Sequence, residues 1–422
     1  MIAEALWKTE FSWLRDTGTM SASNHAPRRV VILGSTGSIG TQALDVIGRS
    51  FTDDGRARFD VVGLSAGGAN LGLLAEQAAQ TRPAAIGIAA GDAAELAGRI
   101  AALAPSYAPQ IDVGVQAAST IAALDADVVL NGITGSIGLA PTLAALQAGS
   151  TLALANKESL IVGGQLVKDA AREGQLVPVD SEHSAIAQCL RAGNKLDVDK
   201  LILTASGGPF RGRKRHELFG VTPAEALKHP TWDMGLMVTT NSATLVNKGL
   251  EAIEAHLLFD IPLDKIDVVV HPQSVVHSMV QFVDGSTIAQ VSPPDMRLPI
   301  ALGLAWPERV EHAVQPCDWS KAAEWTFEPL DAIAFPAVDL AKDAAKQGGT
   351  HPAVFNAANE EAVLAFHEGR IGFLDIVDTV QRVLSEHSAN ATLSLEAVLD
   401  AENWARTRTR ERLAQLGGGV GL

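Results

Sequence analysis

Two carboxylates flank a hydroxyl at Asp180-Ser181-Glu182, within the run Pro178 to Ile186, PVDSEHSAI. The preceding residues, QLVPVD, read as a short strand, and SAIAQCL carries apolar residues at helical spacing. A strand-to-helix corner is therefore predicted, with Ser181 at the helix start. In an open α/β sheet such corners face the crevice beyond the carboxyl ends of the strands, where ligands bind. Two oxygen donors with no Cys or His cluster near them suit a hard cation such as Mg²⁺ or Mn²⁺ better than Zn²⁺. The competing reading is local: Ser181 is an N-cap and Glu182 favours the helix dipole.

TTNSATLVNKGLEAIEAHLLF (239–259) reads as one helix, capped by Asn241 or Ser242, with Val246, Leu250, Ile253 and Leu257 as its buried stripe. Asn247 and Glu251 lie one turn apart on another face, with Lys248 beside them. Lys248 and Glu251 are either a surface pair of small energetic weight or part of a site face. In the second case hydroxyl, amide and ammonium hold a phosphate, and Glu251 brings a third carboxylate to the metal. Lys157 and Glu158 stand at another strand end in STLALANKESLIVGG (150–164), where exposed charges opening a helix are the alternative. Ser206, Gly207 and Gly208, after LILTA, can offer a hydroxyl and free N–H groups to an anion or form a plain turn. In HPTWDMG (229–235), Trp232 between Pro and Gly suits a lid or core filling. His271 and His277 read as structural by default.

These groups need a scaffold to converge. RRVVIL (28–33) is a buried-strand run followed by GSTGSIG (34–40) and a helical pattern. Strand, glycine loop, helix is the context of a phosphate cradle at a helix N-terminus, although Gly34, Gly37 and Gly40 give GxxGxxG, which a tight turn also explains. The next strand, FDVVGL (59–64), ends in SAGGAN without the Asp or Glu that NAD would want, favouring NADP(H). No Lys or Arg for a 2′-phosphate sits at Gly67 to Asn70 either. DADVVL (125–130) and NGITGSIG (131–138) echo the first loop and are expected to line the crevice. HPQSVVHSMVQF (271–282) and STIAQVSPPDMRLPIALGLAWP (286–307) read as strand-like runs of an α+β unit. The predicted organisation is a Rossmann-like parallel sheet over 28–178, an α+β unit over 179–307, to which the family resemblance given below assigns catalysis and dimerisation, a linker over 308–331 and a helical domain over 332–422. That helical domain shows no catalytic cluster.

At 422 residues the chain has room for two or three domains. With 47% hydrophobic and 19% charged residues it is an ordinary globular sequence, and no apolar run approaches the ~20 residues of a membrane span. A net charge of -15 argues against nucleic acid as partner; an anionic substrate would need local donors. Cys189 and Cys317 are in no CxxC spacing, which indicates neither a disulfide framework nor a Cys-rich metal site and fits a reducing cytoplasm. Residues 1–27 lack the layout of a signal or transit peptide; a disordered extension is expected, or an upstream start ahead of Met20.

In this order, GSTGSIG, LANKESL, PVDSEH, ASGGPF, HPTWDMG, NSATLVNKGLEAIEA, HPQSVVHSMV and DMRLPIA resemble the 1-deoxy-D-xylulose 5-phosphate reductoisomerase family, from about Val30 nearly to the C-terminus. The resemblance implies a homodimer that binds NADPH and Mg²⁺ or Mn²⁺. Such an enzyme rearranges 1-deoxy-D-xylulose 5-phosphate by a retro-aldol and aldol step and reduces the product to 2-C-methyl-D-erythritol 4-phosphate, for isoprenoid synthesis. Carried over residue by residue, it assigns the metal to Asp180, Glu182 and Glu251, which with Lys157 form the catalytic set. Substrate would meet these together with Ser181, Ser206, His229, Ser242, Asn247 and Lys248, with Trp232 and Met234 on a closing flap and His277 nearby. Cofactor would meet Thr36, Gly37, Ser38, Ile39, Gly67, Asn156, Glu158 and Gly235. Lys157 would balance charge, or move a proton if metal and burial lower its pKa. The sequence departs from the family at Gly68 and Ala69, where a Lys or Arg is frequent.

Two other readings differ in chemistry. A semialdehyde-type dehydrogenase would need a thiol nucleophile, and Cys189 lies inside a predicted helix while Cys317 lies in the predicted linker. A dinucleotide-sensing protein without turnover would share the fold but has no use for three acids, a lysine and a phosphate cup.

Overall fold

The computed structural model describes residues 26–229, 235–389 and 393–417. The expectation for the N-terminal extension falls almost wholly outside these residues. Seven strands form the first sheet: β1 (Arg28–Leu33), β2 (Phe59–Ala66), β3 (Ala85–Ile88), β4 (Gln110–Val113), β5 (Val128–Asn131), β6 (Thr151–Leu154) and β7 (Leu176–Pro178). Their order is β4-β3-β2-β1-β5-β6-β7, and every pairing is parallel. Between them run α1 (Ser38–Arg49), α2 (Leu71–Thr81), α3 (Ala93–Leu103), α4 (Ala117–Ala122), α5 (Leu139–Ala148), α6 (Lys157–Gly163) and α7 (Gln165–Ala170). Parallel strands covered on both faces need apolar residues on both faces. Accordingly Val30 and Ile32 enter one core while Val31 and Leu33 enter the other. The chain leaves β1 toward β2 and returns at β5 on its other side, so the crevice opens at the carboxyl ends of β1 and β5.

Beyond α8 (Ser181–Cys189), a mixed sheet is built from β8 (Val198–Ala205), β9 (Ile266–Val270), β10 (Val276–Phe282), β11 (Thr287–Val291) and the two-residue β12 (Glu328–Pro329), in the order β11-β10-β8-β9-β12. The helices α9 (Pro223–Ala226), α10 (Leu236–Ala243), α11 (Val246–Phe259) and α12 (Arg297–Ala305) accompany it. Then come α13 (Ala337–Gln347), α14 (His351–His367), α15 (Phe373–Glu386) and α16 (Leu395–Gly417). One side of α11 contributes Ala252 and Ala255 to a core with Ile186, Leu201 and Val280; its other side sends Val246, Leu250 and Ile253 in among Ala341, Val354 and Val380.

Two sequence expectations are corrected. The single helix over 239–259 is two helices, α10 and α11, broken at Leu245, whose φ is +60°. Apolar spacing runs through the break, so periodicity gave no warning. Ser242 therefore ends the first helix, and neither it nor Asn241 caps the second. Likewise, DMRLPIALGLA is not strand-like: Arg297–Ala305 is a helix whose residues from Pro299 onward are buried, with Ile300, Ala301 and Leu304 joining the core of the first sheet. A helix buried all round shows no amphipathic period.

Candidate active site

The corner after β7 forms as its sequence requires, but Asp180, not Ser181, occupies the N-cap position, and its side chain makes no capping hydrogen bond. The carboxylate turns instead to Lys157 at the N-terminus of α6, pairing through Oδ2. Ser181 is helical, and its hydroxyl donates to Glu182 Oε2 at 2.5 Å. The local capping reading of Ser181 is thus not what the structure shows.

From α11, Asn247, Lys248 and Glu251 reach the same place. Lys248 Nζ is 2.6 Å from Glu182 Oε1 and also contacts Glu251 Oε2. Lys157 Nζ donates at 3.1 Å both to Glu251 Oε1 and to Asn247 Oδ1, and Asn247 Nδ2 donates to Glu251 Oε1 at 2.5 Å. One oxygen from each of Asp180, Glu182 and Glu251 lies within 4.8 Å of the others, a separation that one cation could bridge. All-oxygen donors fit a hard dication. Three acids against two ammonium groups leave one excess negative charge, and buried charges must be paired or bind metal. The donor set therefore fits Mg²⁺ or Mn²⁺.

Pairing outweighs burial at Asp180, Lys157 and Lys248, but not at Glu182. Burial alone would raise Asp180, but the Lys157 ammonium outweighs it and holds the carboxyl well below the usual range. Burial would also depress Lys157 and Lys248; the surrounding carboxylates win, lifting Lys157 well above its ordinary value and Lys248 above it. The expectation of a lowered Lys157 pKa is not met by the protein's own groups, because three acids face that nitrogen. Glu182 is pushed up by burial and by the charge of Glu251.

A cavity of about 720 Å³ joins this cluster to the glycine loop. Lys157, Glu158, Asp180, Ser181, Glu182, Ser206, His229, Ser242, Asn247, Lys248, Glu251 and His277 line it, together with Gly37, Ser38, Ile39 and Gly235. Trp232 and Met234 lie outside the described residues. Of the other expected cofactor contacts, Thr36 and Gly67 are not in the wall. Asn156 is spent on structure: it caps α6 by accepting from Ser159 N at 2.7 Å and donates to Gly135 O at 2.8 Å. The second glycine loop does line the crevice, through Gly132, Ile133 and Thr134.

Ser206 sits in a cup made by the left-handed Gly207 and Gly208 (φ +86° and +65°). Its Oγ accepts from Gly208 N at 3.2 Å and lies 3.0 Å from His229 Nε2, leaving the hydroxyl able to bond either the ring or an anion. Burial lowers the His229 pKa, keeping its ring neutral. A Cβ on Gly208 would come within 2.8 Å of Ser242 O, so only glycine lets this turn lie against the break between α10 and α11. His277 is buried, with Nε2 donating to Ser292 O at 3.1 Å.

At the cofactor end, Gly37 is the N-cap of α1 with no side-chain cap, leaving first-turn N–H groups to an anion. A Cβ on Gly40 would lie 2.4 Å from Ser35 Cα, and one on Gly34 would lie 2.8 Å from Gly132 O. After β2, Gly68 has φ +100° and a Cβ there would reach 1.8 Å from Ala90 O, so this backbone has no room for a side chain at that position. These features fit a dinucleotide with its pyrophosphate on α1.

Sequence reasoning missed His183 and Glu254, which lie fully buried beneath the acids. The signal existed, for Asn247, Glu251 and Glu254 follow helical spacing. It also missed Ser274, Asp295 and Arg297 in the cavity wall, which lie in runs read as strand-like.

Three family models match in succession: 1-deoxy-D-xylulose 5-phosphate reductoisomerase over 30–164, its C-terminal domain over 176–259, and the DXP reductoisomerase C-terminal domain over 291–408. The 1-deoxy-D-xylulose 5-phosphate reductoisomerase of Pseudarthrobacter chlorophenolicus is 75% identical over 393 residues, covering 92% of this chain and 98% of its own. That of Leifsonia xyli is 62% identical over 388 residues, covering 92% and 99%. Among solved structures, the Zymomonas mobilis reductoisomerase in complex with NADPH has a TM-score of 0.84 at 43% identity, covering 92% and 99% of the two chains. A DOX-P reductoisomerase in complex with NADPH, fosmidomycin and magnesium has a TM-score of 0.82 at 35% identity, with the same coverage. With its three acids, its lysines and its glycine loop on one cavity, the chain belongs to the 1-deoxy-D-xylulose 5-phosphate reductoisomerase family.

Proposed function

We propose that the protein converts 1-deoxy-D-xylulose 5-phosphate to 2-C-methyl-D-erythritol 4-phosphate, an isoprenoid precursor, using NADPH and a divalent cation. The observation that carries this reading is the meeting of Asp180, Glu182 and Glu251 with Lys157 and Lys248 on the cavity that also holds the glycine loop. The relatives named above act on this substrate by their names, and solved neighbours hold NADPH and magnesium.

Asp180, Glu182 and Glu251 would hold Mg²⁺ or Mn²⁺, which supplies Lewis-acid stabilisation to oxygens that gain charge during rearrangement. NADPH on α1, with Ser38, Ile39 and Gly235 lining its end of the cavity, supplies hydride. The chain's own groups do the rest. Lys157, raised by the carboxylates around it, offers charge and a hydrogen-bond donor at Nζ toward substrate oxygens. With a dication bound, the three acids and two lysines carry net positive charge, which draws a phosphorylated sugar. Ser206, Ser242, Asn247 and Lys248 are the donors for its phosphate, and neutral His229 keeps Ser206 oriented.

The finer assignments rest on separate features. A homodimer is supported by β11, an outer strand whose far edge is unpaired among the described residues and which exposes Ile288, the kind of edge a second copy covers. Sedimentation at working concentration tests it. A cytoplasmic location is supported by two unpaired cysteines; no helix among the described residues is long and apolar enough to cross a membrane. The domain reading is kept: cofactor over 28–178, catalysis and dimerisation over 179–307, and a helical part after the linker. The deciding experiment is NADPH oxidation, which should require both the deoxyxylulose phosphate and Mg²⁺ or Mn²⁺. Turnover undiminished in chelator would overturn the proposal.

A further inference from the structure

His183 and Glu254 take no part in the chemistry above, yet both are completely buried directly behind the acids. His183 follows Glu182 on α8, and Glu254 follows Glu251 by one turn of α11. The His183 Nε2 lies 2.8 Å from the backbone carbonyl of Glu251. A carbonyl only accepts, so Nε2 carries a hydrogen and donates it. Nδ1 faces Glu254 Oε2 at 3.2 Å, and neither Glu254 oxygen has a hydrogen-bond partner among the described residues. The ring thus spans the two helices that bring the acids together, touching α11 at the main chain of one acid-bearing residue and at the side chain a turn later.

We infer that Glu254 is a positioning residue: by fixing the His183 ring between α8 and α11, it sets the spacing of Asp180 and Glu182 relative to Glu251. The inference rests on the metal reading above. Folding alone does not explain an acid at this place, since an apolar side chain of similar volume would avoid burying a carboxyl with a single partner. The 3.2 Å approach of Glu254 Oε2 to Nδ1 is the contact that meets the ring on its far side, and groups beyond the ligands that orient the side chains of a metal site tune affinity strongly. Asp180, His183 and Glu254 also bring one ligand atom each within 4.8 Å of the others. A cation there would share Asp180 with the first cation while Lys157 already contacts that carboxylate. The crowding of positive charge makes an orienting role the better account.

The test is Mn²⁺ binding to the full-length protein by electron paramagnetic resonance, with NADPH affinity and thermal midpoint measured alongside. Wild type should bind one Mn²⁺ per chain, and Asp180→Asn should lose it. Glu254→Gln, whose amide can donate to the unprotonated Nδ1 from the same place, should keep Mn²⁺ affinity within a few-fold. Glu254→Leu and Glu254→Ala should each weaken it by about 10- to 100-fold, with NADPH affinity unchanged; the alanine variant carries the test if leucine does not fold. Wild-type Mn²⁺ affinity in the Leu or Ala variant, alongside loss in Asp180→Asn, overturns this inference alone. Two Mn²⁺ per chain with one lost on removing Glu254 would make Glu254 a ligand and overturn it too. Undiminished binding in Asp180→Asn would sink the metal reading and this inference with it.

Discussion

Replacing Glu251 by glutamine removes one charge from the most enclosed of the three acids, which is 1% exposed. The side-chain volume is kept, and one oxygen becomes an NH₂ that faces an ammonium. In the native arrangement that carboxylate accepts from Lys157 and Asn247 through Oε1 and from Lys248 through Oε2. After substitution two acids face two ammonium groups, and the excess negative charge that attracts a dication is gone. Breaking a buried charge pair by removing one partner costs about 3–5 kcal/mol. If most of that falls on metal binding, Mn²⁺ affinity drops by roughly 10²–10³-fold, at 1.4 kcal/mol for each factor of ten. Mn²⁺ titration measures the loss directly, and NADPH oxidation over a range of Mg²⁺ concentrations measures its effect on turnover. The rate should fall at low metal and recover in part as metal rises, while NADPH binding is unaffected. Wild-type Mn²⁺ affinity in the variant would refute the argument. A rate that stays low with the metal site saturated would mean that Glu251 acts through its lysines instead.

Gly208→Ala should strain a left-handed position and push on Ser242 O. At roughly 1–2 kcal/mol for the backbone and about 1–3 for overpacking, unfolding should come at a lower midpoint and KM for the phosphorylated substrate should rise; an unchanged KM would remove this turn from the phosphate cup. Gly40→Ala should weaken NADPH binding at least about tenfold by separating α1 from its loop, read by fluorescence titration, with Mn²⁺ affinity retained. The pH dependence of Glu254 has a definite sign. Burial holds its folded pKa well above the unfolded value, so its stabilising effect is complete below the unfolded pKa and lost as pH rises through the folded one. Glu254→Gln should therefore gain in thermal midpoint over wild type as pH increases from acid to mildly alkaline, in metal-free protein; a constant difference would show that Glu254 is not held protonated.

The crevice was legible because each of its parts is local: a buried strand, a glycine loop and a helix in succession, or an acid at a strand end. Asp180, Glu182, Lys157 and Glu251 could be singled out this way, since residue type and position within an element already point to a crevice. What lay out of reach was set by packing from elsewhere. The break at Leu245 has no Gly or Pro to announce it, and the Gly207-Gly208 turn that presses on it comes from the end of β8, far earlier in the chain. Arg297–Ala305 hides its helix because apolar neighbours surround it. Ser181 looked like a cap because capping preferences describe isolated helix ends, whereas here Asp180 holds that position and its carboxylate is drawn away to Lys157.

One consequence follows from α11 being a partition with a different neighbour on each side. Gly249 lets it press so closely on α13 that a Cβ would stand 2.7 Å from that of Ala341, while two residues on, Glu251 looks into the cavity. A shortened chain ending after β12 would strip this wall of its backing, leaving Leu250 and Ile253 in water and the acids on an unsupported rod. The last eighty or so residues, by the span of α13 to α16, supply none of the expected ligands and are still part of the instrument. Substitutions along α13 are accordingly a way to retune catalysis from a distance, without touching any group that meets the sugar.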